Sequence, residues 1–325
     1  MPQRQQALQQ WLTHSCKLPD FRLEALAGDA SFRRYFRVLH PKGSYVAMDA
    51  PPDRENCLPF VAIAKALREI GLSTPEIIGC DLQQGFLLIT DFGDRLYLKE
   101  LNTENAEKLY ENALDALSIL QTCKTVDGWK IPPFTSEFMR QELELFKEWF
   151  LQRYLNLALN TQTEKKLSAC FDFLAHAPAQ QKQVFMHRDF HSANLMILPN
   201  NQVGVLDFQD AFIGPMTYDL VSLLRDCYIA WPENVVTKLV LQFREKINLS
   251  SVGADEFLQQ FDCMGMQRHL KALLTFSRKY CRDQNANYLQ HIPRTLDYVV
   301  KVSSRYPECS ALHEFLTERV TVCVE

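Results

Sequence analysis

The 325-residue chain has no run of about eighteen apolar residues free of charge, so no segment reads as a membrane-spanning helix. Its opening residues, MPQRQQALQQWLTH, lack the apolar core of a secretory signal. Ten cysteines are scattered with no CxxC and no doubled metal-ligand spacing, which excludes a zinc ribbon and supplies no disulfide framework. Excess positive charge is missing as well. With 35 Lys and Arg against 39 Asp and Glu, the net charge of −4 gives no global drive toward nucleic acid or an anionic membrane. Any anion site must be local. Internal repeats and low-complexity tracts are absent. The expectation is a cytoplasmic monomer with reduced thiols and neither a nucleic-acid nor a membrane partner. At 47% hydrophobic, such a chain is long enough to bury two modest cores.

What is present is concentrated in residues 187–208, HRDFHSANLMILPNNQVGVLDF. Transfer of a phosphoryl group from ATP needs a carboxylate to orient the attacking hydroxyl and oxygen ligands for the Mg2+ that bridges the phosphates. Asp189 suits the first role, and Asn194 and Asp207 suit the second. The local pattern supports this. Residues 184–187 read as a short strand, and Asn200-Asn201 reads as a turn between the apolar runs 195–198 and 203–206. A hairpin so placed folds Asp207 back toward the loop carrying the other two. A solvated polar loop explains any one of these fragments and fails for the set.

Residues 1–93 suit an N-terminal ATP-binding lobe, with strands expected at 33–39, 44–48, 76–81 and 86–90. One helix interrupts them at 56–70, where Leu58, Val61, Ile63, Ala66, Leu67 and Ile70 recur at mostly helical spacing before Gly71. Residues 94–325 suit a catalytic and substrate-binding lobe, with helices expected at 105–123, 136–156, 164–176, 218–228, 235–247, 257–281 and 294–306. The fold class expected is α+β: a two-lobed, protein-kinase-like fold with a small β-rich N-lobe and a larger, mostly helical C-lobe. In the second lobe only the 195–206 hairpin reads as a strand pair.

Several kinase parts are missing or displaced. The Asp-Phe-Gly at 91–93 lies upstream of Asp189 and cannot supply the metal aspartate. Thr90, Asp91 and Phe92 fit instead the linker whose main chain meets adenine. Between the first two strands there is no GxGxxG. Gly28 allows a bend there and Ser31 can donate to a phosphate. Where a strand lysine is expected, YVAMD at 45–49 has none, which moves the phosphate cation to Arg33 or Arg34, on opposite faces of one strand. At least one of them belongs to a solvated face. Gln209 replaces the glycine after Asp207-Phe208. His187 and His191 flank the loop as supports, because two histidines without a third ligand make no zinc site.

The HxDxxxxN loop, the following Asp-Phe and the Pro-x-x-Tyr-Asp-Leu at 215–220 resemble the aminoglycoside phosphotransferase-like kinases. This resemblance implies a protein-kinase-like fold, a small-molecule acceptor, and Asp219 as a support for the catalytic-loop main chain. Twelve residues from Asp207 to Asp219 leave no room for the activation segment that protein substrates require. Within the family, GDASFRRYFRV, VAMDAPPDREN, LLITDFGDR and RDQNANYLQHIPRTLDYV are similar to bacterial cell-wall amino-sugar kinases acting on the anomeric hydroxyl of N-acetylmuramate and N-acetylglucosamine. That similarity implies an amino-sugar substrate.

Charge bears on the acceptor independently. From 263 to 282 there are five cations, Arg268, Lys271, Arg278, Lys279 and Arg282, and no acid, falling on one helical face opposite Met266, Leu270, Leu273, Leu274 and Tyr280. Either the stripe is an ordinary solvated face or it meets an anionic acceptor, with Arg278 and Arg282 as contacts and Asp210 facing the sugar hydroxyls. An aminoglycoside or amino-alcohol kinase, and a degenerate module that holds ATP without transfer, remain the alternatives.

Overall fold

A computed structural model describes residues 2–26 and 32–324 of the chain. Gly28 and Ser31 lie outside the described residues. The strands are β1 (Arg22–Ala25), β2 (Arg34–His40), β3 (Gly43–Asp49), β4 (Ile77–Asp81), β5 (Phe86–Thr90), β6 (Gln183–Met186), β7 (Leu195–Ile197), β8 (Val203–Val205) and β9 (Phe212–Pro215). The helices begin with α1 (Pro2–His14), α2 (Leu58–Glu69), α3 (Tyr97–Glu100), α4 (Ala106–Leu120) and α5 (Ser136–Phe146). They continue with α6 (Thr161–Ala179), α7 (Tyr218–Leu224), α8 (Glu233–Lys246), α9 (Ala254–Asp283) and α10 (Ile292–Ser303). Contacts divide the chain into two compact units, the first formed by Met1–Leu101, Cys123–Ile131 and Asn194–Asp210, the second by the remainder. All ten cysteines are free thiols. No helix among the described residues is long and apolar enough to cross a membrane.

The first unit is built on an antiparallel sheet in the order β1-β2-β3-β5-β4. Strands β2 to β5 fall within a residue of the ranges read from the sequence, β1 adds a fifth, and Phe36, Val38, Ala47, Phe86 and Leu88 are buried together on one face. The sequence pattern leaves that face without a partner, and α1 supplies one. Leu8, Trp11 and Leu12, at helical spacing, are buried against it. Each contributes about 1.5–3 kcal/mol by leaving water. Arg4 anchors the helix start by donating through Nε (2.9 Å) to Asp49 of β3, a carboxylate with no exposed surface. The hairpin β7-β8 also belongs to this unit, with Val205 N–H donating to Ser73 O at 2.9 Å.

One turn in the sheet tolerates no side chain. Gly85 has φ +71°, and a Cβ there would stand 1.8 Å from the Ala50 carbonyl oxygen that its own turn packs against. Gly85→Ala is expected to lower the unfolding free energy by at least about 2 kcal/mol, from left-handed strain plus the clash. Urea titration of the two proteins reads the difference, and equal midpoints would contradict it.

The second unit is mostly helical, and its core gathers α5, α6, α9 and α10 around Phe146, Phe150, Phe171, Leu270, Leu273 and Val299. The helix expected at 136–156 forms, but its second half, Lys147–Tyr154, is π-helical. The helix expected at 218–228 stops at Leu224, because Arg225 turns away (φ −117°, ψ 57°) to donate to Asp262 at 2.7 Å and Glu233 at 2.8 Å. This unit also holds a strand pair that the sequence alone does not display, β6 with β9.

Candidate active site

The catalytic loop follows β6 directly. Asp219, at the start of α7, accepts the main-chain N–H groups of His187 (2.6 Å) and Arg188 (2.9 Å), so both of its oxygens hold the loop. Its burial pushes the carboxyl up to about 6, outweighing the His187 charge and the two N–H bonds that favour ionisation. Asp226 does the same further along. It accepts Ser192 N–H at 3.0 Å and the Ser192 hydroxyl, while its other oxygen takes Tyr228 N–H at 2.8 Å. His187 Nδ1 accepts Asp189 N–H at 3.2 Å, and His191 N–H reaches Asp189 O at 3.0 Å. Arg188 sits at φ +80°, a strained value that these bonds enforce.

Asp189 itself stays ionised. Burial works against the charge, but the neighbouring Lys271, His191 and Arg268 outweigh it and hold the carboxyl well below its usual range. Burial drives His191 toward its neutral form. The other two cations, Lys271 and Arg268, both lie on α9, and burial lowers the Lys271 ammonium as well. Arg268 is only 6% exposed, and the whole span Phe261–Leu270 is buried on every side. The five cations of this helix thus do not share one solvated face opposite an apolar one, as the spacing predicts. Arg268 turns inward over Tyr218 (5.9 Å), Lys279 lies over the Tyr288 ring (5.0 Å), and Arg282 pairs with Asp283 at the exposed helix end.

The first unit carries its own group of expected site residues. Leu206 N–H donates to Asn194 O at 3.0 Å, closing β7 against β8. The Asn194 amide Nδ2 stands 3.4 Å from Asp207 Oδ2, and Gln209 Nε2 donates to the other Asp207 oxygen at 2.7 Å. Asp207 has φ +60°, again a left-handed value at a residue with a side chain. Phe208 is fully buried, its ring 4.9 Å from that of Phe60 on α2, and this contact fixes the aspartate beside it. A carboxylate and an amide side by side fit a hard divalent cation that completes its shell with phosphate oxygens and water. Gln209 Oε1, buried and without a hydrogen-bond partner, is one further acceptor for such a shell.

Of the expected nucleotide residues, the structure separates the two arginines. Arg34 donates to Asp49 through Nε at 3.1 Å and is committed there together with Arg4. Arg33 pairs with Glu55 at 3.0 Å. The Asp91 carboxylate is occupied by Arg37 (2.7 Å), Ser44 and Gly93 N–H (2.8 Å) and so braces the linker from its side. Thr90 N–H is bound to Glu76 O at 3.1 Å. Phe92 packs on Gly204 of β8, where a Cβ would come within 2.8 Å of its ring. Asp210 is exposed at the end of the hairpin segment. Sequence reasoning missed Asp226 and Glu142, whose partners lie 34 and 46 positions away, and nothing in the local pattern marks either.

Residues 22–247 match the model of a family described as the phosphotransferase enzyme family. The chain belongs to that family. This phosphotransferase is 39% identical over 304 residues, 92% of its length and 89% of the relative's, to the N-acetylmuramate/N-acetylglucosamine kinase of Pseudomonas aeruginosa. It is 38% identical over 325 residues to the kinase of the same name from Neisseria meningitidis serogroup B, covering 98% and 96% of the two chains. Among solved structures the phosphotransferase resembles a Plasmodium vivax ethanolamine kinase at TM-score 0.64 with 10% identity, over 89% and 86% of the chains. It resembles the streptomycin-ATP-APH(2")-IIa ternary complex at TM-score 0.60 with 14% identity, over 90% and 95%. These last two likenesses concern the fold, and they agree with the two-lobed, protein-kinase-like class that the sequence predicts.

Proposed function

We propose that the protein transfers the γ-phosphate of ATP to the anomeric hydroxyl of an amino sugar, N-acetylmuramate or N-acetylglucosamine. The observation that carries this reading is the identity of 37–39% to three kinases of that name, over about nine-tenths or more of each chain. Asp189 accepts a hydrogen bond from the acceptor hydroxyl and orients its oxygen. Held at low basicity, it takes the proton late, as the new P–O bond forms. A hemiacetal hydroxyl is more acidic than an ordinary alcohol, so a weak carboxylate base suffices. Asn194 and Asp207 would hold the divalent metal, with Gln209 fixing the Asp207 rotamer. When bound, magnesium would supply neutralisation of the phosphate charge. The main chain of residues 90–92 would meet the adenine.

Arg33 is the phosphate cation in this reading, oriented by Glu55 in place of a strand lysine. Arg33→Met is therefore expected to raise the KM for ATP about 10- to 100-fold, the value of one charge-assisted contact. Arg34→Met is expected to lower stability through Asp49 with little change in that KM. Steady-state titration of ATP separates the two, and similar KM shifts for both would remove the assignment. The cations beside Asp189 disfavour a polycationic aminoglycoside as acceptor. Incubation with ATP, magnesium and a panel of amino sugars, with phosphorus NMR coupling as the readout, tests the activity. A 6-phosphate product, or turnover of aminoglycosides alone, would sink it.

A further inference from the structure

The stretch of α9 that runs past the catalytic loop carries two cations, Lys271 and Arg278, that no carboxylate among the described residues pairs with directly, although Lys271 feels the charge of Asp189. Glu142 of α5 accepts Gln267 Nε2 at 3.0 Å on one oxygen and Arg188 at 3.1 Å on the other. This bridge turns the Gln267 face of α9 toward the residue that precedes Asp189. Lys271 stands one turn beyond Gln267 on that face, and Arg278 two turns beyond Lys271, about 10 Å along the axis. Among the described residues, neither the Lys271 ammonium nor the Arg278 guanidinium has a hydrogen-bond or ion-pair partner, and Arg278 Nε is fully buried.

Of the two carboxylates whose charge reaches Lys271, Glu142 is engaged by Arg188 and Gln267, and Asp189 is the one that receives the acceptor hydroxyl in the reading above. Lys271 is only partly exposed, and burial pushes its ammonium below the ordinary lysine range although Asp189 opposes that shift. A desolvated cation with no direct ion-pair partner is costly, and an incoming anion lowers that cost.

We propose that Lys271 and Arg278 form the subsite for an anionic substituent of the acceptor, a carboxylate a few bonds from the hydroxyl that Asp189 receives. The proposal rests on the reading that Asp189 receives that hydroxyl. Among the two sugars named above, only N-acetylmuramate carries such a group, its ether-linked lactyl carboxylate. A neutral sugar leaves both cations without a direct partner, so the subsite sets a preference between acceptors that share one reacting hydroxyl.

The experiment measures kcat/KM for N-acetylmuramate and N-acetylglucosamine on the parent protein, Lys271→Met, Lys271→Arg and Arg278→Met. The acidic-to-neutral ratio is expected to fall about 10- to 100-fold in Lys271→Met, with a smaller fall in Arg278→Met, and Lys271→Arg retains it within about threefold. A ratio unchanged in Lys271→Met, with equal losses on both sugars, overturns the subsite, because Lys271 then acts on the transfer itself. If Lys271→Met does not fold, Lys271→Gln and Arg278→Met give the same reading. A parent protein that phosphorylates neither sugar brings down the proposed function and the subsite together. One that phosphorylates both, with a flat ratio across the variants, brings down the subsite alone.

Discussion

Asp189→Asn lowers kcat by about 10²- to 10⁴-fold, the loss expected when a positioned base is replaced by a group of equal size that cannot take a proton. The nucleotide contacts assigned to Arg33 and residues 90–92 are untouched, so ATP affinity measured by equilibrium titration stays near that of the parent. Single-turnover transfer is the measurement, and a variant retaining more than about a tenth of the parent rate would remove Asp189 from its role. The substitution also changes stability. Because the folded state holds Asp189 below its ordinary value, its contribution is fully present above the unfolded value near 3.8 and is lost as pH falls through the folded one. Asp189→Asn is therefore less stable than the parent at neutral pH, and the two converge in acid.

Asp219→Ala is the second large effect. The substitution leaves the N–H groups of His187 and Arg188 buried without an acceptor, at about 1–3 kcal/mol each, so a destabilisation of about 2–6 kcal/mol is expected. The loop it held also relaxes, and kcat falls with it by a further factor of about 10². Denaturant unfolding and initial rates on the folded fraction check the two parts, and a variant as stable as the parent would contradict the argument. The same carboxyl sets a pH dependence. With its folded value raised to about 6 from 3.8, the native state holds a proton that the unfolded chain has released. Stability from this group therefore declines as pH rises from about 4 to 6 and is level above that. Activity runs the other way, because the protonated form has one acceptor fewer for the loop. An acid limb of kcat/KM near 6 follows, and Asp189, held low, cannot produce it.

Much of the fold was legible because its signals are local. Strands β2 to β5 form within a residue of the ranges read from the sequence, the spacing of Leu58 to Leu67 marked α2, and Asn200-Asn201, both with positive φ, marked the β7-β8 turn. Asp189, Asn194 and Asp207 could be proposed from the sequence because phosphoryl transfer asks for those residue types in that order. Other features have no local signal. Five glutamines and a weak apolar stripe hide α1, whose partner is a sheet face twenty or more residues downstream. Periodicity puts the α9 cations on one face but cannot say that the span Phe261–Leu270 is buried on all sides. That fact requires knowing what packs against it, and it turns Arg268 and Lys271 from surface charges into neighbours of Asp189. Arg33 and Arg34 are adjacent in sequence, and only the positions of Glu55 and Asp49 give them separate work.

The seating of α1 bears on how the protein can be handled. The helix lays Leu8, Trp11 and Leu12 across Phe36, Val38 and Phe86, and its first turn is tied to Asp49 through Arg4. Trimming the leading fifteen residues as if they were a dispensable tail would leave a flat, greasy sheet surface facing water and a carboxylate stripped of one of its two arginines. Shortened versions should therefore clump on expression, and a purification handle belongs at the other end.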